Sequence, residues 1–296
     1  MQFNSVNENR SIMLTPSAHH ATPEKLDAIV HPGSYDPRRG RVLPAYGRNH
    51  YPVNFAWLLR FVMAEASRVF PGVKPDLELV LNVAKKTIGG VEREGFHMLA
   101  ILRYGEPGQD GLVRVIALRT SDNQDFGVLI ATMAEVSMCC NGLVWGGGIT
   151  IVKKNTTHNL PQVEAAVCGA LSGYEDSFER LKADRALLES KPIGEIAGAE
   201  LLGRALYGVE GKGSSVLTPT QANIAREEWR TPGSTLPKVD GQLDPRAAQW
   251  QEAWRDRSYW TLYQAVTEGL KKGNIAGRVQ RHAAAHGFMM AAAQAA

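Results

Sequence analysis

The sequence predicts an α+β protein: a mainly antiparallel sheet of about four strands, with helices packed on one face and an aromatic helical part at the C-terminus. Two observations lead to this prediction. Segments with a two-residue apolar period lie in the middle of the chain, between residues 96 and 154, whereas segments with a period near 3.6 residues lie before and after them. A block of strands that is separate from the helices is typical of this class.

Residues 1–52 are predicted to form a polar and basic N-terminal arm. Between Arg38 and Arg60 the chain has five arginines and no acidic residue, with tyrosines interleaved. This pattern is typical of proteins that grip single-stranded nucleic acid, because the cations follow the phosphates and the rings stack on the bases. The alternative is an arm that packs on the domain and covers apolar surface with its arginine stems.

An α+β core domain is predicted for residues 53–230, and it begins with a helix over 53–70. Apolar residues recur there near the helical period, Asn54 serves as N-cap, and Pro71-Gly72 ends the helix. The next segment, 76–87, is compatible with either helix or strand.

A β-hairpin follows, because residues 96–104 and 112–120 alternate with a period of two and are joined by a polar turn that contains glycine. Residues 126–138 permit a buried strand or a short helix. Residues 149–154 are predicted as a strand. The three glycines before it, 146–148, indicate a bulge or a close backbone approach, since no lysine follows them as in a phosphate-binding loop.

The remainder of the chain is predicted to be helical, apart from a Pro/Gly-rich linker over 231–247 that precedes a helical C-terminal part, 248–296. Thr218 is a suitable N-cap and Pro219 suits the first helical position. The predicted helices before the linker are 161–189, 192–208 and 218–229.

Composition limits the function. With 33 Lys and Arg against 30 Asp and Glu, the formal charge is +3, so any nucleic-acid binding must come from local patches. The three cysteines form no CxxC pair, and no run of 18 apolar residues or signal peptide is visible. The adjacent His19 and His20 are interpreted as a solvated loop. We therefore expect a cytoplasmic protein without metal, cofactor or membrane contact.

Three sequence blocks resemble the phage/plasmid-like protein family, a domain of unknown function of plasmids, prophages and phages. The blocks are HMLAILR (97–103), LRTSDNQDF…VSMCCNGL (118–143) and SYWTLYQAVTEGLK (258–271). The resemblance implies a mobile-element setting, in which single-stranded DNA is often handled. The strands followed by a long helix also resemble the β-β-β-α core of single-strand annealing proteins, which implies DNA recombination and a homo-oligomer.

The leading prediction is a non-enzymatic protein that binds single-stranded DNA and that anneals or protects it. The residues expected to contact phosphates are Arg38, Arg39, Arg41, Arg48, Arg103, Arg114, Arg119, Lys153 and Lys154. The rings expected to stack on bases are Tyr46, Tyr51 and Trp145.

Two alternatives come from other side chains. One is a protein-interaction factor, with an anti-defence or host-modulating role, because clustered aromatic residues often anchor interfaces. Its anchors would be Trp250, Trp254, Trp260 and Tyr263. The less favoured alternative is a metal-dependent nuclease, since carboxylates that hold a divalent metal are what phosphodiester cleavage requires. Its residues would be Asp122, Asp125, Glu135 and His97.

Overall fold

The computed structural model describes residues 18–20, 22–27, 52–88, 91–106, 111–122, 125, 127–136, 143–152, 160–207, 215–236, 246–271 and 275–296. The chain divides into two compact units, Met1–Phe178 and Glu179–Ala296. The division falls inside a helix, and it differs from the predicted boundary at 231–247. Within the described ranges, no helix is long and apolar enough to cross a membrane.

The first unit contains a six-stranded antiparallel sheet whose strands neighbour one another in chain order. The α+β class and the mainly antiparallel sheet are therefore confirmed, with six described strands where about four were expected. The strands are β1 (Ala18–His20), β2 (Pro75–Ile88), β3 (Val91–Tyr104), β4 (Leu112–Ser121), β5 (Val128–Val136) and β6 (Leu143–Val152).

The two additional strands come from segments whose local pattern was weak or ambiguous. The β2 strand pairs with β3 over its whole length, from Pro75 opposite Tyr104 to Ile88 opposite Val91. This long ladder decides the 76–87 segment in favour of a strand. The β1 strand brings His19 into the sheet opposite Leu81, where a loop was expected.

The ambiguous 126–138 segment also forms a strand, β5, and its pairing with β6 contains an irregularity. Thr132 lies opposite Gly148 and Met133 lies opposite Gly146, so the ladder shifts between these two pairs. One strand therefore has an extra residue at the glycine run, which is the arrangement of a β-bulge. The prediction of a bulge at residues 146–148 is confirmed.

Helices of the first unit pack on one face of the sheet, as predicted. They are α1 (Pro23–Asp27), α2 (Phe55–Val69), α3 (Leu160–Ser172) and the start of α4 (Tyr174–Ser190). Asn54 caps α2 by accepting a hydrogen bond from the amide of Trp57, as expected. The single helix predicted over 161–189 is interrupted at Gly173.

Tyr174 fixes the start of α4 on the sheet. Its hydroxyl donates to the carbonyl of Met133 at 2.7 Å and accepts from the amide of Val115 at 2.7 Å. The ring of Phe70, just after α2, meets the Tyr174 ring edge to face and also contacts Tyr104. Consecutive residues along the central strands are buried, so both faces of β3, β4 and β5 are covered there.

In its described residues, the second unit contains the rest of α4 and five further helices: α5 (Glu195–Tyr207), α6 (Pro219–Arg230), α7 (Arg246–Ala253), α8 (Tyr259–Leu270) and α9 (Ile275–Ala295). Every residue of α8 is buried, and α5, α6 and α9 pack against it. Capping boxes at Thr218 and Ser258 begin α6 and α8. The predicted cap at Thr218 is confirmed.

On either side of the predicted linker, α6 and α8 pack closely on each other. A Cβ atom at Gly269 would lie 2.4 Å from the carbonyl oxygen of Gln221, so the two helices approach at van der Waals distance. The first residues of the linker are also held, since the Glu228 carboxylate accepts hydrogen bonds from the amides of Gly233 and Thr235.

Candidate functional site

The predicted nucleic-acid contacts fall into two groups. Arg103, Arg114 and Arg119 lie on described strands, and Trp145 lies in β6 opposite Ala134. The others lie outside the described residues: Arg38, Arg39, Arg41, Arg48, Lys153, Lys154, Tyr46 and Tyr51.

Arg103 is buried between two carboxylates on one face of the sheet. Its Nη2 atom donates to Glu78 at 3.0 Å, and its Nε atom donates to Glu135. Burial lowers the pKa of Arg103 and the two carboxylates raise it, with a net upward shift, so the guanidinium stays charged. The three side chains are at most 4% exposed. This arrangement argues against the expected phosphate contact, because the charge of Arg103 is already compensated inside the fold.

Arg114 lies on the opposite face of the sheet and reaches the surface. Its guanidinium makes a two-point contact with the Glu175 carboxylate, at 3.1 and 3.2 Å, and lies over the Phe178 ring. The side chain is 38% exposed. A phosphate contact by Arg114 would therefore compete with Glu175.

Arg119 is 3% exposed and lies opposite Leu99 of β3. Burial lowers its pKa to about 10, because the charged form loses hydration in the protein interior. Such a position argues against contact with the backbone of a long strand of DNA.

A buried polar cluster lies near Arg119, where β2, β3 and β4 meet. Asn82, His97 and Ser121 are register partners on three adjacent strands, so their side chains share one face. His97 Nε2 lies 2.8 Å from an Asp125 carboxylate oxygen. Asp122 also belongs to the cluster, because its side-chain carboxylate accepts a hydrogen bond from the backbone amide of Phe96 at 2.6 Å.

Both ring nitrogens of His97 have polar neighbours. Its Nδ1 lies 3.4 Å from the Asn82 amide nitrogen, and its Nε2 lies 2.8 Å from the Asp125 carboxylate. A neutral imidazole that donates from Nε2 can accept at Nδ1, which suits this pair of partners. His97 therefore connects β2, β3 and the segment that follows β4.

The residues of the nuclease hypothesis do not converge. His97, Asp122 and Asp125 come together, but Glu135 pairs with Val113 at the other end of β4, roughly 25 Å away at about 3.3 Å per residue. Glu135 is engaged by Arg103 instead. Within the described ranges, no group of three or more His, Cys, Asp or Glu is arranged to hold a metal ion.

The four aromatic anchors of the interaction hypothesis are core residues of the second unit. Trp250, Trp254, Trp260 and Tyr263 are between 0% and 5% exposed. The Trp250 and Trp254 rings stack, and the Trp254 indole donates to Gln264. These side chains stabilise the fold, and their burial argues against a role as exposed anchors.

An aromatic pair that the sequence pattern did not single out lies on α2. The Trp57 and Phe61 rings stack in parallel, with their centroids 5.2 Å apart, and both side chains are half-buried. Arg60 lies between them in sequence and is exposed. The i,i+4 spacing of two large rings beside the apolar stripe of α2 was the signal that could have revealed them.

Most of the described residues of the resemblance blocks are buried. The first two blocks provide His97, Arg103, Arg119 and Asp122, and the third is helix α8 with its cap. Comparisons of the chain with protein-family models, with curated proteins and with solved structures found no match.

The fold and its buried polar clusters describe an α+β protein whose sheet has charged side chains in its interior.

Proposed function

We propose that the protein binds single-stranded DNA in the service of a mobile genetic element, and that it anneals or protects the strand. The observation that carries the proposal is the acid-free stretch from Arg38 to Arg60, with its five arginines and interleaved tyrosines. Cations repeated along a segment neutralise successive phosphates, and flexible single strands can follow them.

The described end of this stretch supports the proposal. Val53, Asn54 and Phe55 are buried, so the stretch is fixed to the first unit where it enters α2. The stacked Trp57 and Phe61 rings follow within one or two helical turns, and partly exposed rings are suitable platforms for unpaired bases. Duplex DNA keeps its bases stacked on one another, so this combination favours single strands.

The proposed contact set is smaller than the one that the sequence predicts. It keeps Arg38, Arg39, Arg41 and Arg48 with Tyr46 and Tyr51, adds Trp57 and Phe61, and retains Arg114 as a contact that must exchange with Glu175. It leaves out Arg103 and Arg119 because of their burial. Lys153, Lys154 and Trp145 stay predictions.

The test is fluorescence anisotropy of a labelled 30-nucleotide single strand with the purified protein, at low and high salt, with a duplex of the same sequence as comparison. We expect single-strand binding that weakens as salt rises. Removing Arg38 and Arg39 together should reduce the slope of log affinity against log salt by about 0.7 for each phosphate that the pair neutralises. Absence of binding at micromolar protein in low salt would refute the proposal.

Two matched variants separate phosphate from base contacts. Arg226→Ala/Arg230→Ala removes two exposed arginines from α6 and should leave affinity and salt slope unchanged. Phe61→Leu keeps an apolar side chain and removes the ring, so it should weaken binding about tenfold with no change in salt slope. If the labelled DNA strand is shortened by the wild type in the presence of Mg²⁺ but stays intact with Asp122→Ala, the result would instead favour the nuclease.

A further inference from the structure

Helix α5 presents an unusual outward face. Ile196 and Tyr207 are 78% and 85% exposed, the highest values among large apolar side chains in the described part of the chain. They are eleven residues apart, which is about three helical turns, so both point in nearly the same direction. Gly203 lies between them, with open space where a side chain would be.

A groove runs beside this face, between α5 and α9. Its volume is about 400 Å³. It is open at the surface, and small or apolar side chains form most of its walls. These walls include Ala197, Leu201, Tyr259, Phe288, Ala291 and Ala292.

Two opposite charges line the same groove. Glu200 and Arg204 are exposed, and within the described structure neither side chain makes an ion pair or a hydrogen bond. At about 100° per residue, Ile196, Glu200, Arg204 and Tyr207 fall within an arc of about 80°. The face therefore consists of two apolar ends with an acid and a base between them.

This order of side chains is self-complementary. If a second α5 lies antiparallel about a two-fold axis near residue 202, Glu200 of each copy meets Arg204 of the other. The same axis brings Ile196 of each copy beside Tyr207 of the other, because both pairs are centred on nearly the same position. A two-fold contact is isologous, so one surface must satisfy this condition with itself.

We infer that the exposed face of α5 beside the α5–α9 groove forms a two-fold homodimer interface. Ile196 of each copy packs against Tyr207 of the other, and Gly203, on the same face, allows the two helices to approach closely. The two Glu200–Arg204 pairs fix the antiparallel orientation, since a parallel arrangement would place like charges together. The interface involves the second unit alone and does not depend on DNA binding.

The test is sedimentation equilibrium of the full chain without nucleic acid, from about 1 to about 100 µM protein, a range that spans ordinary dimer affinities. The wild type is expected to dimerise. Glu200→Arg and Arg204→Glu each place like charges opposite one another twice, and each should weaken the dimer at least about tenfold. An equimolar mixture of the two variants restores both opposite-charge pairs, so it should form a 1:1 heterodimer.

The mixture makes the test specific, because a variant with a folding defect would not be rescued by the other variant. Arg230→Glu, on the exposed side of α6, makes the same charge change elsewhere and should leave the dimer intact. Ile196→Ser should also weaken it. A wild type that is monomeric at the highest concentration would overturn the inference. So would a dimer that is unchanged in the single variants, or a mixture that stays monomeric.

Discussion

At the residue scale, two arginines on adjacent strands show how burial changes the role of one side chain type. Arg103 and Arg114 are both paired with glutamates, but Arg103 is 4% exposed and lies between two carboxylates, whereas Arg114 is 38% exposed with one. Exposed ion pairs contribute little to stability, while breaking a buried pair leaves charge without compensation in the interior. The two positions should therefore respond differently to the same substitution.

We predict that Arg103→Met lowers the free energy of unfolding by about 3–5 kcal/mol, because Glu78 and Glu135 then lose the cation between them while they stay buried. Arg114→Met should cost about 1 kcal/mol or less. Urea denaturation followed by circular dichroism gives both values. Replacing Glu78 and Glu135 with Leu as well should recover most of the stability that Arg103→Met removes. Equal effects of the two single variants would contradict this account.

At the element scale, the close packing of α6 on α8 depends on a residue without a side chain. A Cβ atom at Gly269 would lie only 2.4 Å from the backbone oxygen of Gln221, and backbone cannot rotate away as a side chain would. Gly169 in α3 offers a comparison, since it is exposed and a Cβ there meets nothing within 4 Å. Alanine substitutions at the two glycines therefore distinguish the effect of helix packing on stability from the effect of helix propensity.

We predict that Gly269→Ala destabilises the protein by about 1–3 kcal/mol or more, because α6 and α8 must move apart. Gly169→Ala should stabilise it by up to about 1 kcal/mol, since alanine favours the helix and the site has room. Thermal unfolding of both variants beside the wild type measures the difference. A neutral Gly269→Ala would show that the two helices are not held at this distance.

At the scale of the whole molecule, the division of the chain differs from the one that its composition indicates. Proline and glycine are frequent in 231–247, yet α6 before this segment and α8 after it belong to one unit. Trp229, Ala222 and Ala225 of α6 are buried in that unit. A chain that stops within the segment would lose the α8 surface that α6 packs on.

We predict that a chain ending at residue 236 does not form a second unit with native packing. Exposed apolar surface on α6 should bind the dye ANS, and the unfolding transition should lose cooperativity relative to the full chain. ANS fluorescence and urea denaturation of the two chains measure both effects. If the shortened chain unfolds cooperatively without binding ANS, then 53–230 is an independent domain as the composition suggests.

Local sequence signals were sufficient to predict the features that depend on residues close together in the chain. The N-caps at Asn54 and Thr218, the β3–β4 hairpin and the bulge at the glycine run follow from local spacing and residue type. Each depends on contacts within a few residues or across a short turn. The sequence by itself therefore determined the fold class and the caps.

The tertiary structure alone decided which charges are buried and which segments associate. Strand alternation placed Arg103 on a face, but only the sheet shows that Glu78 and Glu135 enclose it. Likewise, the aromatic spacing of Trp250 and Trp254 suits either a core or an interface, and burial by α8 and its neighbours decided for the core. The physical reason is that charge compensation and burial depend on residues far apart in the chain, which periodicity does not record.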